Sequence, residues 1–340
     1  MFKKIGVKSW LSLAIISFTA GLYGYNVRDS KIATANSKPE IVVSHNILCD
    51  LVNTIAEDTV DLTCLIDSNQ DPHTYRPTPS QRKAMEKAQL ILYGGYQLEP
   101  QIIQLINATE TSAPKLAIYE QAVAEPIQSE PHKHEDEHEH EDEHEHTDAE
   151  AAKSDAESLE PDPHVWHDVE NAIAMVELIR SRLLQLNPAQ ADIYLQNSDT
   201  LTEKLWQLDA WIEEQVATIP EGKRTLVTTH DSLNYYVNAY PIDEYKTLQG
   251  LSSDSSPTAS QVKNLATEIE QIGVPTIFAE TTNSDRVMNN VARAAGVRLA
   301  ADKLIADGLG EADSYLEMMS YNTCAIVNGL EGNCRAFNSE

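Results

Sequence analysis

Basic residues are scarce in this chain: 25 Lys and Arg stand against 53 Asp and Glu, a formal charge of −28 over 340 residues. No stripe of Lys and Arg interleaved with aromatics is present, so a phosphate backbone would meet repulsion, which argues against nucleic-acid binding. Long hydrophobic runs are equally rare. The one from Trp10 to Tyr23 is too short to span a bilayer comfortably. With no second apolar span and no Walker A motif, the chain is neither a channel nor an ATPase. No HExxH motif supplies the general base that a zinc hydrolase commonly carries on a helix. Cysteine is limited to four residues, none of which closely follows the apolar run. A lipoprotein anchor is not expected there.

Lys3, Lys4 and Lys8 precede the apolar run, and a small-residue "ATA" at Ala33 to Ala35 follows it. Residues 1–35 therefore read as a secretory signal, with an uncleaved N-terminal anchor as the alternative. A periplasmic or otherwise extracytoplasmic protein is expected. An oxidising compartment permits disulfides, and the cysteines fall into two local pairs, Cys49 with Cys64 and Cys324 with Cys334. Of three connectivities the local one is expected, with buried free thiols at Cys49 and Cys64 as the alternative. A zinc thiolate site is disfavoured, because no pair has the short spacing that clamps one ion.

The excess of acid is concentrated. Between Glu125 and Asp162 sixteen acids meet two lysines, half of the total charge. Within that stretch "EPHKHEDEHEHEDEHEHTD" interleaves acids with His132, His134, His138, His140, His144 and His146. Such a composition cannot bury a core, and residues 125–162 are expected to be a disordered loop. Its imidazoles offer weak, scattered zinc sites, because ordering a flexible tract around an ion costs conformational entropy.

Elsewhere, 41% hydrophobic residues are enough for two modest cores. From Glu40 short β-rich runs alternate with helical periodicity: "EIVVS", "ILCDLVNTIA", "DLTCLI", a helix through Met85, "LILYGG" and "KLAIY". This is the pattern of a mostly parallel sheet. Val169, Ile173, Val176, Ile179 and Leu183 mark an amphipathic helix. A second helix is announced by "NPAQ", with Asn187 as cap, Pro188 in the first position and Gln190 completing a capping box. It is expected to reach Ile219. Alternation resumes with "TLVTTH", "PTIFAE" and "GVRLA", separated by helices Val262 to Ile272 and Val287 to Ala295, and ends with a helix from Asp313 to Asn328. Gly273, Gly296 and Gly329 stand where helix C-caps belong. The expected architecture is α/β, with two similar βα lobes, residues 39–186 and 220–340. One long rigid helix, 187–219, joins them, and a cleft lies between the lobes.

Five histidines lie outside the acidic run: His45, His73, His164, His167 and His230. Three of these, His73, His164 and His230, follow the ends of predicted strands, where open α/β sheets hold their ligands. "DPH" occurs twice, at Asp71 to His73 and Asp162 to His164, and each proline restrains the backbone ahead of an imidazole. Three imidazoles with one more donor make a tetrahedral zinc site.

These residues resemble a family: the metal-binding extracytoplasmic solute-binding proteins of ABC transporters for zinc and manganese. The likeness runs from "IVVSHNILCDLV" through "DPHTYRPTPSQ", "DPHVWHDVENA", "VTTHDSLNYY" and "TIFAETTNSD" to "LIADGLG" and "YNTCAIVNGL". It implies ligands His73, His164 and His230, with Asp307 as the carboxylate, Zn2+ as the transported ligand, and a membrane permease as partner of a monomer. Asp302, Glu280 or water are alternatives in the fourth position. Glu280 more naturally orients a ligand or pairs with a base such as Arg76. Manganese-specific members tend to put Glu where His230 stands, so three imidazoles point to zinc, and a His-rich acidic insertion also marks the zinc-uptake subgroup. The chain departs from the family at His45 and His167. His167 is either an accessory ligand or a surface imidazole, and His45 reads as a satisfied structural residue. A zinc hydrolase, a manganese-binding member and a zinc buffer without a permease are the competing readings.

Overall fold

The computed structural model describes residues 38–129, 159–253 and 256–338. The first lobe is built on β1 (Glu40–Val43), β2 (Asp61–Cys64), β3 (Leu90–Tyr93) and β4 (Lys115–Ala117), all parallel in the order β2-β1-β3-β4. Helices α1 (Asn46–Ala56), α2 (Pro79–Lys87), α3 (Pro100–Ala108) and the short α4 (Ile118–Ala122) follow the four strands in turn. The central strand β1 is apolar on both sides: Val42 packs with Ile91, Met85, Ile102 and Ile106, while Ile41 and Val43 face α1 and the middle of the molecule. A sheet covered on both faces selects such unbroken apolar runs. Strands β5 (Gln128–Ser129) and β6 (Glu160–Pro161) then pair antiparallel. The ends of the stretch 125–162 are thus structured rather than loop, because Ser129 and Asp162 are buried and need partners. Its six histidines, His132 to His146, lie outside the described residues.

Helix α5 (Val169–Leu186) leads to a 3₁₀ turn at Pro188–Gln190 and then α6 (Ala191–Val216). The expected capping box is absent at this junction, since Asn187 makes no side-chain cap, and the 3₁₀ turn takes the place of the first helical turn. The 26 residues of α6 span roughly 39 Å. Tyr194, Ser198, Leu201, Leu205, Leu208, Ile212 and Gln215 recur every three or four residues as its buried stripe, with α1 and α5 packed on it and α10 (Tyr315–Gly329) near its far end. One apolar core runs through α1, α5, α6 and α10 and ties the lobes together.

The second lobe repeats the plan with β7 (Thr225–Thr228), α7 (Asn234–Ala239), β8 (Glu244–Thr247), α8 (Ala259–Ile272), β9 (Thr276–Ile277), α9 (Arg286–Ala295) and β10 (Arg298–Leu299). Parallel pairs β7–β8 and β9–β10 adjoin through Phe278, whose N–H donates to the Val227 carbonyl at 2.9 Å. Strand β8 was not expected; its half-exposed "EYKT" lacks the apolar run of an inner strand. Gly273 and Gly296 end their helices in the left-handed region, at φ 76° and 68°. Gly329 does not. It is the last helical residue, and a Cβ there would stand 2.5 Å from Cζ of the buried Phe278. Close approach of helix to sheet, not a cap, requires this glycine. Gly329→Ala should lower stability by about 1–3 kcal/mol, the range for overpacking a filled core, as read by denaturant melts.

The sulfur atoms of Cys49 and Cys64 are joined, as are those of Cys324 and Cys334, with Cα atoms 6.0 and 5.2 Å apart. The first bond staples α1 to β2, the second the end of α10 to the C-terminal segment.

Candidate metal centre

Four side chains distant in sequence converge between the lobes. His73 comes from the long loop after β2, nine residues beyond the strand. His164 stands at the entry of the 3₁₀ turn Val165–His167 that precedes α5. His230 lies two residues past β7, and Asp307 sits in the irregular segment after β10. Their donor atoms all fall within 4.8 Å of one another. The His73 and His164 Nε2 atoms are 3.2 Å apart, and Asp307 Oδ1 lies 3.5, 3.5 and 3.2 Å from Nε2 of His73, His164 and His230. A tetrahedral ion bound at about 2.0–2.1 Å needs donors roughly 3.3–3.4 Å apart, so this spacing is that of a coordination sphere already assembled. His73 keeps 5% of its side chain exposed and the other three none.

Two of the three rings are aimed by a carboxylate, and the backbone of the third is held by one. Asp162 Oδ1 accepts from both the backbone N–H and Nδ1–H of His164, at 2.9 and 2.8 Å. Glu280 Oε1 accepts from the Thr229 and His230 N–H groups at 3.0 Å each, and its Oε2 accepts from His230 Nδ1–H at 2.5 Å. Asp71 Oδ1 accepts from the His73 N–H at 2.9 Å and its Oδ2 from the Ser253 hydroxyl at 2.5 Å. With Nδ1 of His164 and His230 committed as donors, Nε2 is the nitrogen each ring turns inward, ready to bind an ion once its proton leaves. Glu280 pairs with His230 rather than Arg76, and it is held off the cluster by that pairing. Neither Asp302 nor Glu280 belongs to the converging set. The "DPH" repeat carries a signal in its aspartates as well as its prolines, since Asp71 and Asp162 each accept from the N–H of the histidine two residues on. Thr282, whose hydroxyl donates to Asp307 Oδ2 at 2.8 Å, had no such signal.

The charges follow from this wiring. Burial alone would neutralise His230, yet Glu280 and Asp307 outweigh it and hold its pKa well above the usual imidazole value. Burial likewise opposes protonation of His164, but hydrogen bonds to Asp162 and Asp307 raise it. Burial would lift Asp307; the His230 charge and hydrogen bonds from the three imidazoles hold it well below the ordinary carboxylate. Without an ion, protons on the rings take the place of the cation. Glu280→Gln should weaken metal binding by about 10–100-fold, the usual effect of losing such an outer partner, measured by competition with a chelator.

His45 and His167 are outside the converging set. His45 Nε2–H donates to the Asp307 carbonyl at 3.1 Å and Nδ1 accepts from the Tyr119 hydroxyl at 2.6 Å; His167 Nε2–H donates to the Ala306 carbonyl at 2.9 Å. Burial lowers their pKa values to about 4 and about 3. His167 is therefore a wholly buried neutral ring, not a surface imidazole. Beside His73 a cavity of about 460 Å³ reaches the surface, lined by Tyr96, Gln97, Glu120, Glu160 and Leu251.

Two α/β lobes on a long helix, with a dry cluster of three imidazoles and a carboxylate between them, define the substrate-binding component of a metal ABC transporter. Residues 41–329 match the family model described as "ZnuA: Zinc-uptake complex component A periplasmic". The chain belongs to this family. It is 28% identical over 311 residues to the manganese-binding lipoprotein MntA of Halalkalibacterium halodurans, covering 90% of this chain and 93% of that one. To the manganese ABC transporter substrate-binding lipoprotein PsaA of Streptococcus anginosus it is 29% identical over 332 residues, covering 96% and 99%. The periplasmic zinc-binding protein TroA from Treponema pallidum superposes with a TM-score of 0.74 at 27% identity, over 88% of this chain and all of that one.

Proposed function

We propose that this protein captures Zn2+ outside the cytoplasmic membrane and delivers it to a membrane permease for ATP-driven uptake, with His73, His164, His230 and Asp307 as the ligands. The observation that carries the reading is the donor set, three imidazole nitrogens and one carboxylate oxygen at tetrahedral spacing. Nitrogen-rich four-coordination suits zinc, whereas manganese prefers more oxygen donors. A carboxylate in the fourth position closes the sphere, as transport binding needs and hydrolysis does not. Residues 1–35 act as an export signal or anchor, the protein works as a monomer, and the histidines from His132 to His146 collect zinc weakly for the tight site.

Manganese is the second reading, favoured by the names of the relatives MntA and PsaA. Uptake of each ion by cells with and without the protein decides between them, because the stability order of divalent ions alone puts zinc above manganese on either kind of site. Loss of the protein should impair growth in chelated medium, and added zinc should restore it. Rescue by manganese and not by zinc would reverse the assignment. Deleting residues 130–158 should reduce the number of weak sites and leave one tight site.

A further inference from the structure

We infer that His45 and His167 are positioning residues that fix the direction of the Asp307 side chain and so tune the site's preference between oxygen-seeking and nitrogen-seeking divalent ions; the inference rests on the metal-site reading above. Asp307 lies outside any helix or strand. The carbonyl of Ala306 sets the plane of the peptide before it, and its own carbonyl sets the plane after it. The Asp307 Cα joins those two planes, so holding both carbonyls fixes the direction of its Cα–Cβ bond. Both are held by imidazole N–H groups from the first lobe: His167 on Ala306 at 2.9 Å, His45 on Asp307 at 3.1 Å. Both rings are wholly buried, and His45 is held at its other nitrogen by the Tyr119 hydroxyl. Trp166 lies between them, with ring centroids 4.9 Å from His45 and 5.3 Å from His167, and the same indole is 5.4 Å from the ligand His164.

Thr282 holds the carboxylate itself, through Oδ2 at 2.8 Å, but not the backbone that aims it, and the other anchors of the segment act on neighbouring residues. Asn322 takes both the N–H and the carbonyl of Ile305, Asn46 accepts from the Leu309 N–H, and Gly310 N–H donates to the Ser68 carbonyl. Asp307 contributes the single oxygen among four donors. An ion that relies on oxygen loses more than zinc does when that oxygen drifts.

The test replaces each histidine in turn with Phe, which fills the space without an N–H donor, and with Gln, whose amide nitrogen reaches the place of Nε2. Zinc and manganese affinities, the visible spectrum of the Co2+ form and the unfolding temperature of the metal-free protein are read together. The Phe variants should bind manganese about tenfold more weakly, with a smaller loss for zinc and an altered cobalt spectrum. The Gln variants should stay near the parent. Should a Phe variant not fold, Met, without a donor and of moderate volume, is compared with Gln instead. Unchanged affinities and spectrum, or equal losses for both ions accompanied by a lowered unfolding temperature, overturn the inference. A parent protein that binds neither ion tightly overturns the underlying site reading instead.

Discussion

Replacing any one of His73, His164 or His230 by Ala in the mature protein should lower zinc affinity by about two orders of magnitude or more. Zinc held by four protein ligands in folding domains is worth about 10–16 kcal/mol, or roughly 3 kcal/mol per donor, and each 1.4 kcal/mol is a factor of ten. Calorimetric or chelator-competition titration reads the loss. The three variants should differ, however, in what they do to the metal-free protein. His230 carries the positive charge that faces both Glu280 and Asp307, and all three side chains are wholly buried. Removing it takes from both buried carboxylates their shared cation, leaving Glu280 to backbone N–H groups and Asp307 to the other two imidazoles and Thr282, which should lower apo stability by about 3 kcal/mol. His73 retains a little exposure, and its neighbour Asp71 keeps the backbone N–H of residue 73 and the Ser253 hydroxyl. His73→Ala should therefore lose metal with little change in apo unfolding. A tight site that survives any of the three changes would remove the coordination model. Equal destabilisation by His73→Ala and His230→Ala would remove the electrostatic one.

The contrast between these two histidines also explains what could be read from the sequence. His230 closes an unbroken β-run, so its place at the carboxyl end of a strand was legible from pattern alone. His73 and His164 were marked by a repeated tripeptide, although the strand before His164 proved to be two residues long. Asp307 was accessible only through family likeness. Its segment has no periodicity, and the carbonyls of Ala306 and Asp307 and the N–H of Leu309 are held by side chains 139 to 263 positions away, from His167 to Asn46. Interactions of that range leave no local trace. The same distinction separates α5, whose three-and-four stripe announced itself, from β8, a half-exposed polar edge that only its hydrogen bonds to β7 define. It also separates Gly273 and Gly296, whose helices end by local rules, from Gly329, which exists for the ring of Phe278 fifty-one positions earlier.

Zinc affinity should fall steeply in mild acid, because the ligands that the ion needs bare are the ones the metal-free site protonates most readily. The sign follows from which state holds the proton. His230 and His164 have raised pKa values in the metal-free protein, held up by Glu280 and Asp307 in one case and by Asp162 and Asp307 in the other. In the bound state both Nε2 atoms carry metal and no proton. Binding at neutral pH thus expels a proton from His230, and, as pH falls below the raised value of His164, a second one. Each released proton makes affinity drop tenfold per pH unit, so between pH 8 and 5.5 the fall should reach about a thousandfold. The two rings lie 5.4 Å apart and share Asp307, so they titrate as a coupled cluster rather than as separate sites. Asp307 does not blunt the effect, since its depressed pKa keeps it a carboxylate through this range. Glu280→Gln removes the negative charge that most strongly holds the His230 proton, so it should shift the steep part of the curve to lower pH even as it weakens the site at pH 8. Measuring zinc affinity against pH for both proteins, together with proton release in weakly buffered solution, separates these terms. A flat profile between pH 8 and 6, or binding without proton release, would show that the rings are already bare and that the carboxylates behind them serve only to aim them.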